Sequence, residues 1–251
     1  MERFGHPSSP CILLLHGAGL GPWSLRPIAQ ALSSEFQVLL PALPGHAPDP
    51  GSFTSIPSAA ETLRNAVRTQ GVEQVKVLGG LSLGGQIALE ILAQEPGFAQ
   101  AALIESALVQ LLTVPLWLLE ALLKLTYPLV KQNWFARLQF KSMGLPEAMF
   151  ADYFRDSQAL GLQSLVQLSK ANARFTLSPE LKAFNGPSLV VAGSRELGSM
   201  RRSAELIASQ LPNAELQILQ GYAHGVFSLQ HPQEAAAALR ALAKRAESGK
   251  V

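Results

Sequence analysis

At 251 residues, with 48% hydrophobic and 15% charged side chains, the chain can bury a large core and is too apolar for disorder. A net charge of +2, evenly spread, excludes the basic footprint of a nucleic-acid binder. Cys11 is the single cysteine, which rules out an internal disulfide or a thiolate metal cluster; no metal or cofactor is expected.

Residues 1–10 lack the apolar core of a secretory signal, so a cytoplasmic protein is expected. Cys11-Ile12-Leu13-Leu14-Leu15 is a continuous apolar run, the pattern of a strand buried on both faces. It ends in His16-Gly17-Ala18-Gly19-Leu20, whose glycines let backbone N–H groups come close to a ligand. A helix is expected from about Leu25 to Leu32, and residues 36–40 read as the next strand. Pro41-Ala42-Leu43-Pro44-Gly45-His46 follows, extended as a loop by Pro48, Asp49, Pro50 and Gly51. Ser58 is the expected cap of a helix running to about Thr69 and closed by Gly71.

Residues 75–78 are a short β-branched run leading into Gly80-Leu81-Ser82-Leu83-Gly84, which fits Gly-x-Ser-x-Gly. A helix is expected from about Leu83 to Ala93. A strand turning sharply into a helix needs glycines beside the apex, because a Cβ there would collide. The apex residue, Ser82, is then pushed outward in a strained backbone conformation at the positive end of the helix. Residues 101–104 form a further strand ending at Glu105-Ser106.

The rhythm then breaks. From about Leu108 to Glu180 the pattern is helical, first strongly apolar with Trp117, Tyr127 and a row of leucines, then rich in aromatic residues. Gln110, Glu120, Lys124, Pro115 and Pro128 argue against a membrane span. Glu120 and Lys124, four apart, mark an exposed helix face. Strands resume at residues 187–192 and 214–219, with a helix from Ser203 to Leu211 between them and a closing helix after Pro232. The alternation predicts an α/β fold with a mostly parallel sheet flanked by helices. Residues 1–107 and 181–251 would form its core, and residues 108–180 a helical cap, or lid, inserted into it.

A serine hydroxyl needs a base. His6 lies in the N-terminal tail, His16 and His46 in early loops suited to backbone hydrogen bonding, and His231 at the start of a helix. His224 sits in a glycine-flanked loop after the last strand, on the sheet edge where Ser82 emerges, and is the candidate base. The base needs a carboxylate, but Asp49, Asp152 and Asp156 are not at late strand ends. Glu196, four residues beyond Ala192, is favoured because it completes the order Ser…acid…His, and Glu105 is its rival. The backbone N–H groups of Leu83 and Ala18 are the candidate oxyanion donors.

With these residues in view, the chain resembles the α/β-hydrolase superfamily, in its compact capped serine hydrolase or esterase form. The resemblance rests on Leu15-His16-Gly17-Ala18-Gly19, Leu43-Pro44-Gly45-His46, Gly80-Leu81-Ser82-Leu83-Gly84-Gly85, and Gly221-Tyr222-Ala223-His224 with Pro232 beyond. It implies Ser82 as nucleophile, His224 as base, Ala18 and Leu83 as oxyanion donors, and a cap between the sixth and seventh strands of the family's layout. The chain departs from the family at Glu196, where aspartate is usual, and at Ala42, where aspartate commonly precedes Leu-Pro-Gly-His. Some members take the acid from the end of the preceding strand, the place of Glu105. Serine at the elbow argues against the dehalogenase and epoxide-hydrolase branches, which need a carboxylate nucleophile.

The expected function is hydrolysis of a small-molecule carboxylic ester through an acyl-enzyme. The leucine- and aromatic-rich cap suggests an apolar acyl or alcohol part. The alternatives are a hydrolase of carbon–carbon bonds in dienoic diketones, a thioesterase, a lactonase, or a ligand-sensing receptor on the same fold.

Overall fold

The computed structural model describes residues 1–47, 53–111 and 115–248. The loop expected at Pro48, Asp49, Pro50 and Gly51 therefore lies outside the described residues. Among those described, one sheet has seven strands: β1 (Glu2–Phe4), β2 (Cys11–Leu15), β3 (Gln37–Leu40), β4 (Val75–Leu81), β5 (Ala99–Glu105), β6 (Ser188–Gly193) and β7 (Ala214–Leu219). Their spatial order is β1-β3-β2-β4-β5-β6-β7; β1 runs antiparallel to β3 and every other pair is parallel.

Successive residues of β2 point to opposite faces, as the period of two requires. Leu13 and Leu15 join an apolar cluster with α2 (Ile56–Arg68), α3 (Leu83–Gln94) and α8 (Gly198–Gln210). Ile12 and Leu14 join a second cluster with α1 (Arg26–Leu32) and α10 (Pro232–Ser248). Both faces of the sheet are thus covered, which is why its strands read as continuous apolar runs rather than alternating ones. Leu13 is fully buried, and truncation to alanine there would cost about 2–5 kcal/mol.

Among the described residues, four α-helices lie between β5 and β6: α4 (Leu116–Val130), α5 (Asn133–Ser142), α6 (Phe150–Ala159) and α7 (Leu162–Arg174). A third apolar cluster joins α5 and α6 to the core, with Trp23, Leu81 and Leu229 meeting Phe140, Phe150 and Tyr153. Polar ties fix the same junction. Trp23 Nε1–H donates to Asp156 at 2.8 Å, Arg26 pairs with Asp152 at 3.1 Å, and Gln86 Nε2 donates to Asn172 Oδ1 at 3.0 Å. Among the described residues no helix is long and apolar enough to cross a membrane.

Several local expectations need correction. β1 was not anticipated, because three residues, two of them charged, carry no readable periodicity. Ser55, not Ser58, caps α2: its side chain accepts from Ser58 N–H at 3.2 Å, and Pro57 sits in the first turn where no N–H is needed. α8 starts at Gly198, five residues before Ser203, and a short helix α9 (Val226–Gln230) follows the His224 loop. Glu120 and Lys124 form the i,i+4 pair at 2.7 Å, with Lys124 exposed, but Lys170 of α7 also reaches the Glu120 carboxylate and leaves it half-buried at the edge of that face.

Candidate active site

β4 hands over to α3 at a single residue, Ser82, with φ 54° and ψ −114°. The turn is this tight because glycines flank it. A Cβ on Gly80 would collide with the backbone of Gly84, and one on Gly84 with the carbonyls of Leu15 and His16. Ser82 N–H donates to Glu105 O at 2.8 Å, continuing the β4–β5 ladder one residue past its last register pair, Leu81 with Glu105. The hydroxyl is left projecting from the carboxyl end of the sheet.

His224 arrives from the loop after β7, in the segment between Gly221 and Gly225, both at positive φ. Its Nε2 lies 3.1 Å from Ser82 Oγ, and its Nδ1 lies 3.0 Å from Glu196 Oε2. An ionised Glu196 can only accept, so Nδ1 carries the proton and Nε2 is free to accept from the serine hydroxyl. The β6 and β7 loops are zipped together by Arg195 N–H to Tyr222 O and Gly221 N–H to Ser194 Oγ, both 2.9 Å. That zipper is what brings Glu196 beneath the imidazole.

The Glu196 side chain has no exposed surface, whereas that of His224 is half exposed. Burial alone pushes the Glu196 carboxyl up. Hydrogen bonds from His224, from Gly193 N–H at 2.7 Å and from Ser106 Oγ–H at 2.8 Å outweigh it, and the group ends below its ordinary value. It is held as a carboxylate.

Glu105, the rival acid, is directed elsewhere. It is fully buried and accepts from both the backbone N–H and the hydroxyl of Ser228 in α9, the former at 3.2 Å. Burial raises its pKa to about 7 despite those bonds. The two glutamates are thus separated by environment, one stabilised as an anion and one pressed toward the neutral acid.

The loop after β2 closes over the elbow. A methyl group on Gly17 would stand 3.6 Å from Ser82 Cβ, and Leu20 N–H to Gly17 O at 3.2 Å makes a turn that leaves Ala18 exposed. Leu83 is the first residue of α3, so its N–H has no acceptor within the helix. His16 and His46 serve the loops instead. His16 Nε2 accepts from Leu43 N–H at 3.1 Å and His46 Nε2 from Gly19 N–H at 3.1 Å. Burial drives the His16 pKa down to about 3, so it stays neutral. Beside Ala18 opens a cavity of about 330 Å³, lined by Leu20, Val130, Met143, Leu160 and Leu165 together with Gln139, Tyr153 and Asp156.

The chain belongs to the alpha/beta hydrolase family. The family's pattern matches residues 12–239, which include every residue of the site just described. A pimeloyl-[acyl-carrier protein] methyl ester esterase of Cronobacter sakazakii is 26% identical to this alpha/beta hydrolase over 258 aligned positions, covering 93% of each chain. The polyketide synthase ThaQ of Burkholderia thailandensis is 27% identical over 228 residues, 87% of this chain; the chain spans only 11% of that relative's length. Among solved structures, the esterase EaEST of Exiguobacterium antarcticum superposes with a TM-score of 0.80 over 97% of this chain and 94% of that one. At 17% identity, that likeness is one of fold.

Sequence reasoning missed Ser106, which braces Glu196, and Ser228, which engages Glu105. Ser106 and Ser82 are the non-glycine residues at positive φ among those described, and no glycine pattern around Ser106 signals it.

Proposed function

We propose that this protein is a serine hydrolase of carboxylic esters, with Ser82 as nucleophile, His224 as general base and Glu196 as the acid that orients it. The observation that carries the reading is the hydrogen-bonded line from Ser82 Oγ through His224 to Glu196, at 3.1 and 3.0 Å. Ser82 attacks the ester carbonyl carbon while His224 Nε2 takes its proton. The resulting oxyanion is held by the N–H groups of Ala18 and Leu83, each donor worth about 2.7–4 kcal/mol of barrier. Collapse expels the alcohol, which regains the proton from His224 and leaves an acyl-Ser82 ester. A water activated by the same imidazole then releases the acid. Glu196 stabilises the imidazolium in both halves without itself taking the proton.

Residues 108–180 act in this reading as a cap over the core formed by residues 1–107 and 181–251. Phe140, Phe150 and Tyr153 seat it on the core, and the cavity beside Ala18 receives the substrate. The aliphatic lining from Leu20, Val130, Leu160 and Leu165 supports an apolar acyl or alcohol part. The methyl ester esterase relative supports an ester as the bond cleaved.

The test is a series of p-nitrophenyl esters from acetate to decanoate, assayed on the wild type and Ser82→Ala. Each buried methylene can contribute up to about 0.8 kcal/mol, so kcat/KM should rise several-fold per added carbon pair until the cavity is filled. Acetate turned over as well as octanoate would overturn the apolar specificity, and turnover surviving in Ser82→Ala would overturn the mechanism.

A further inference from the structure

We infer that the outer face of α4 and α5 is a docking surface for an anionic lipid bilayer, on which the protein lies without spanning it. α4 is predominantly apolar, with Glu120 and Lys124 as its charged residues, and has no buried residue. A helix of that composition normally sits inside a core or against lipid. Leu118, Leu122, Leu125 and Leu129 fall at i, i+4, i+7 and i+11, one stripe of the helix, with Trp117 beside it. All five are exposed, Trp117 at 70% and Leu125 at 77%. α5 follows after two residues, packs against α4, and exposes Trp134 and Leu138 in the same manner, at 61% and 60%. Together these make up seven of the eleven large hydrophobic side chains exposed among the described residues.

Charge identifies the occupant. Residues 115–147 carry Lys124, Lys131, Arg137 and Lys141 against Glu120 and Glu147, a net +2 that equals the net charge of the whole chain, so the remainder is neutral. The even spread of charge expected from the sequence does not hold here. Arg137 and Lys141 are exposed on α5 beside Trp134 and Leu138, and Lys124 flanks the α4 stripe. Glu120 lies half-buried between Lys124 and Lys170, and Glu147 pairs with Arg137 at 2.6 Å, so the cations still outnumber the acids on this face. Tryptophan, leucine and long cations on one surface match the boundary between acyl chains and anionic headgroups, with the cations reaching up to the phosphates.

A second copy of the chain fits less well. A two-fold contact would set two copies of this net-positive face against each other, with Lys124, Arg137 and Lys141 outnumbering Glu120 and Glu147 on each side. Spanning is excluded by length: the 15 residues of α4 reach about 22 Å at 1.5 Å per residue, short of a roughly 30 Å hydrocarbon core.

The inference does not depend on the catalytic reading, and its test does not read activity. The full chain would be sedimented with vesicles of phosphatidylcholine alone and of phosphatidylcholine with a quarter phosphatidylglycerol. Preferential binding to the anionic vesicles, weakened in 0.5 M salt, is expected. Each cation near such a surface is worth about fivefold in partitioning, so Lys124→Gln with Lys141→Gln should lower it by roughly 20-fold. Trp117→Gln with Leu125→Gln should lower it at least as much, and both pairs should keep the wild-type melting temperature because the positions are exposed. No binding, equal binding to both vesicle types, or binding indifferent to both pairs would overturn the inference. So would self-association abolished by Trp117→Gln with Leu125→Gln, in a protein that ignores vesicles.

Discussion

Two serines stand at the ends of neighbouring parallel strands with the same left-handed backbone, φ 54°, and face opposite surroundings. Leu81 of β4 is in register with Glu105 of β5, so Ser82 and Ser106 each lie one residue beyond a matched pair. Ser82 is held by the Glu105 carbonyl and Ser106 by that of Val191, through N–H bonds of 2.8 and 2.9 Å. Glycines around Ser82 let a helix start at once, which leaves its hydroxyl projecting toward His224. Ser106 is 3% exposed, and its hydroxyl donates to Glu196. Strain is therefore not what distinguishes a candidate nucleophile in this fold. One strained turn presents its hydroxyl to His224, and the other ties its hydroxyl to Glu196.

Kinetics should separate these groups most sharply. Ser82→Ala and His224→Ala should each lower kcat by roughly 10⁴-fold or more, since the two act as a unit. Glu196→Gln should cost about as much as loss of orientation does elsewhere, about 10⁴-fold, while Glu105→Gln stays within about tenfold of the wild type. Equal losses from the two glutamine variants would erase the distinction drawn between the two carboxylates.

Glu105 should instead reveal itself in stability. Its pKa is raised from 4.5 to about 7, so it is protonated in both folded and unfolded chains below about pH 4.5. As pH rises, the unfolded chain ionises first, and the native state loses stability through pH 7, by about 3 kcal/mol at most. Glu105→Gln stays neutral and escapes that loss. Thermal melts should show the variant gaining on the wild type between pH 5 and pH 8; a constant gap would contradict the assignment.

Ser106 offers the finest cut. Ser106→Ala removes a hydrogen bond to a charged group, about 1.5–3 kcal/mol, and should lower kcat by about tenfold or somewhat more with KM nearly unchanged. Ser106→Gly removes the same bond but relieves the positive φ, about 1–2 kcal/mol for a non-glycine residue. The glycine variant should be the more stable of the two and no more active. If it regained activity along with stability, Ser106 would be merely structural.

Which of these features the sequence displays follows from their physics. The Ser82 elbow is legible because close strand–helix approach demands glycine on both sides, and glycine is visible in the chain. His224 is legible because it stands between Gly221 and Gly225 after a readable strand. Glu196 needs only a count of residues beyond Ala192. Ser106 leaves no such trace: its backbone is held by Val191 and its hydroxyl by Glu196, contacts 85 and 90 residues away. β1 is too short for a period. The direction of α4 is invisible for another reason, because its leucines spread over too much of its circumference for periodicity to assign one face to the core. Its leucines suggested a pocket lining. Its outer leucines instead face solvent, and only Val130 at its end lines the cavity.

If Ser82, and not its strained neighbour, carries the nucleophilic hydroxyl, a fluorophosphonate probe should find it, with the adduct mapped by peptide mass spectrometry. One equivalent bound at Ser82, and none in Ser82→Ala, is the predicted result. An adduct on Ser106, or a correctly folded protein that takes up no probe, would contradict it.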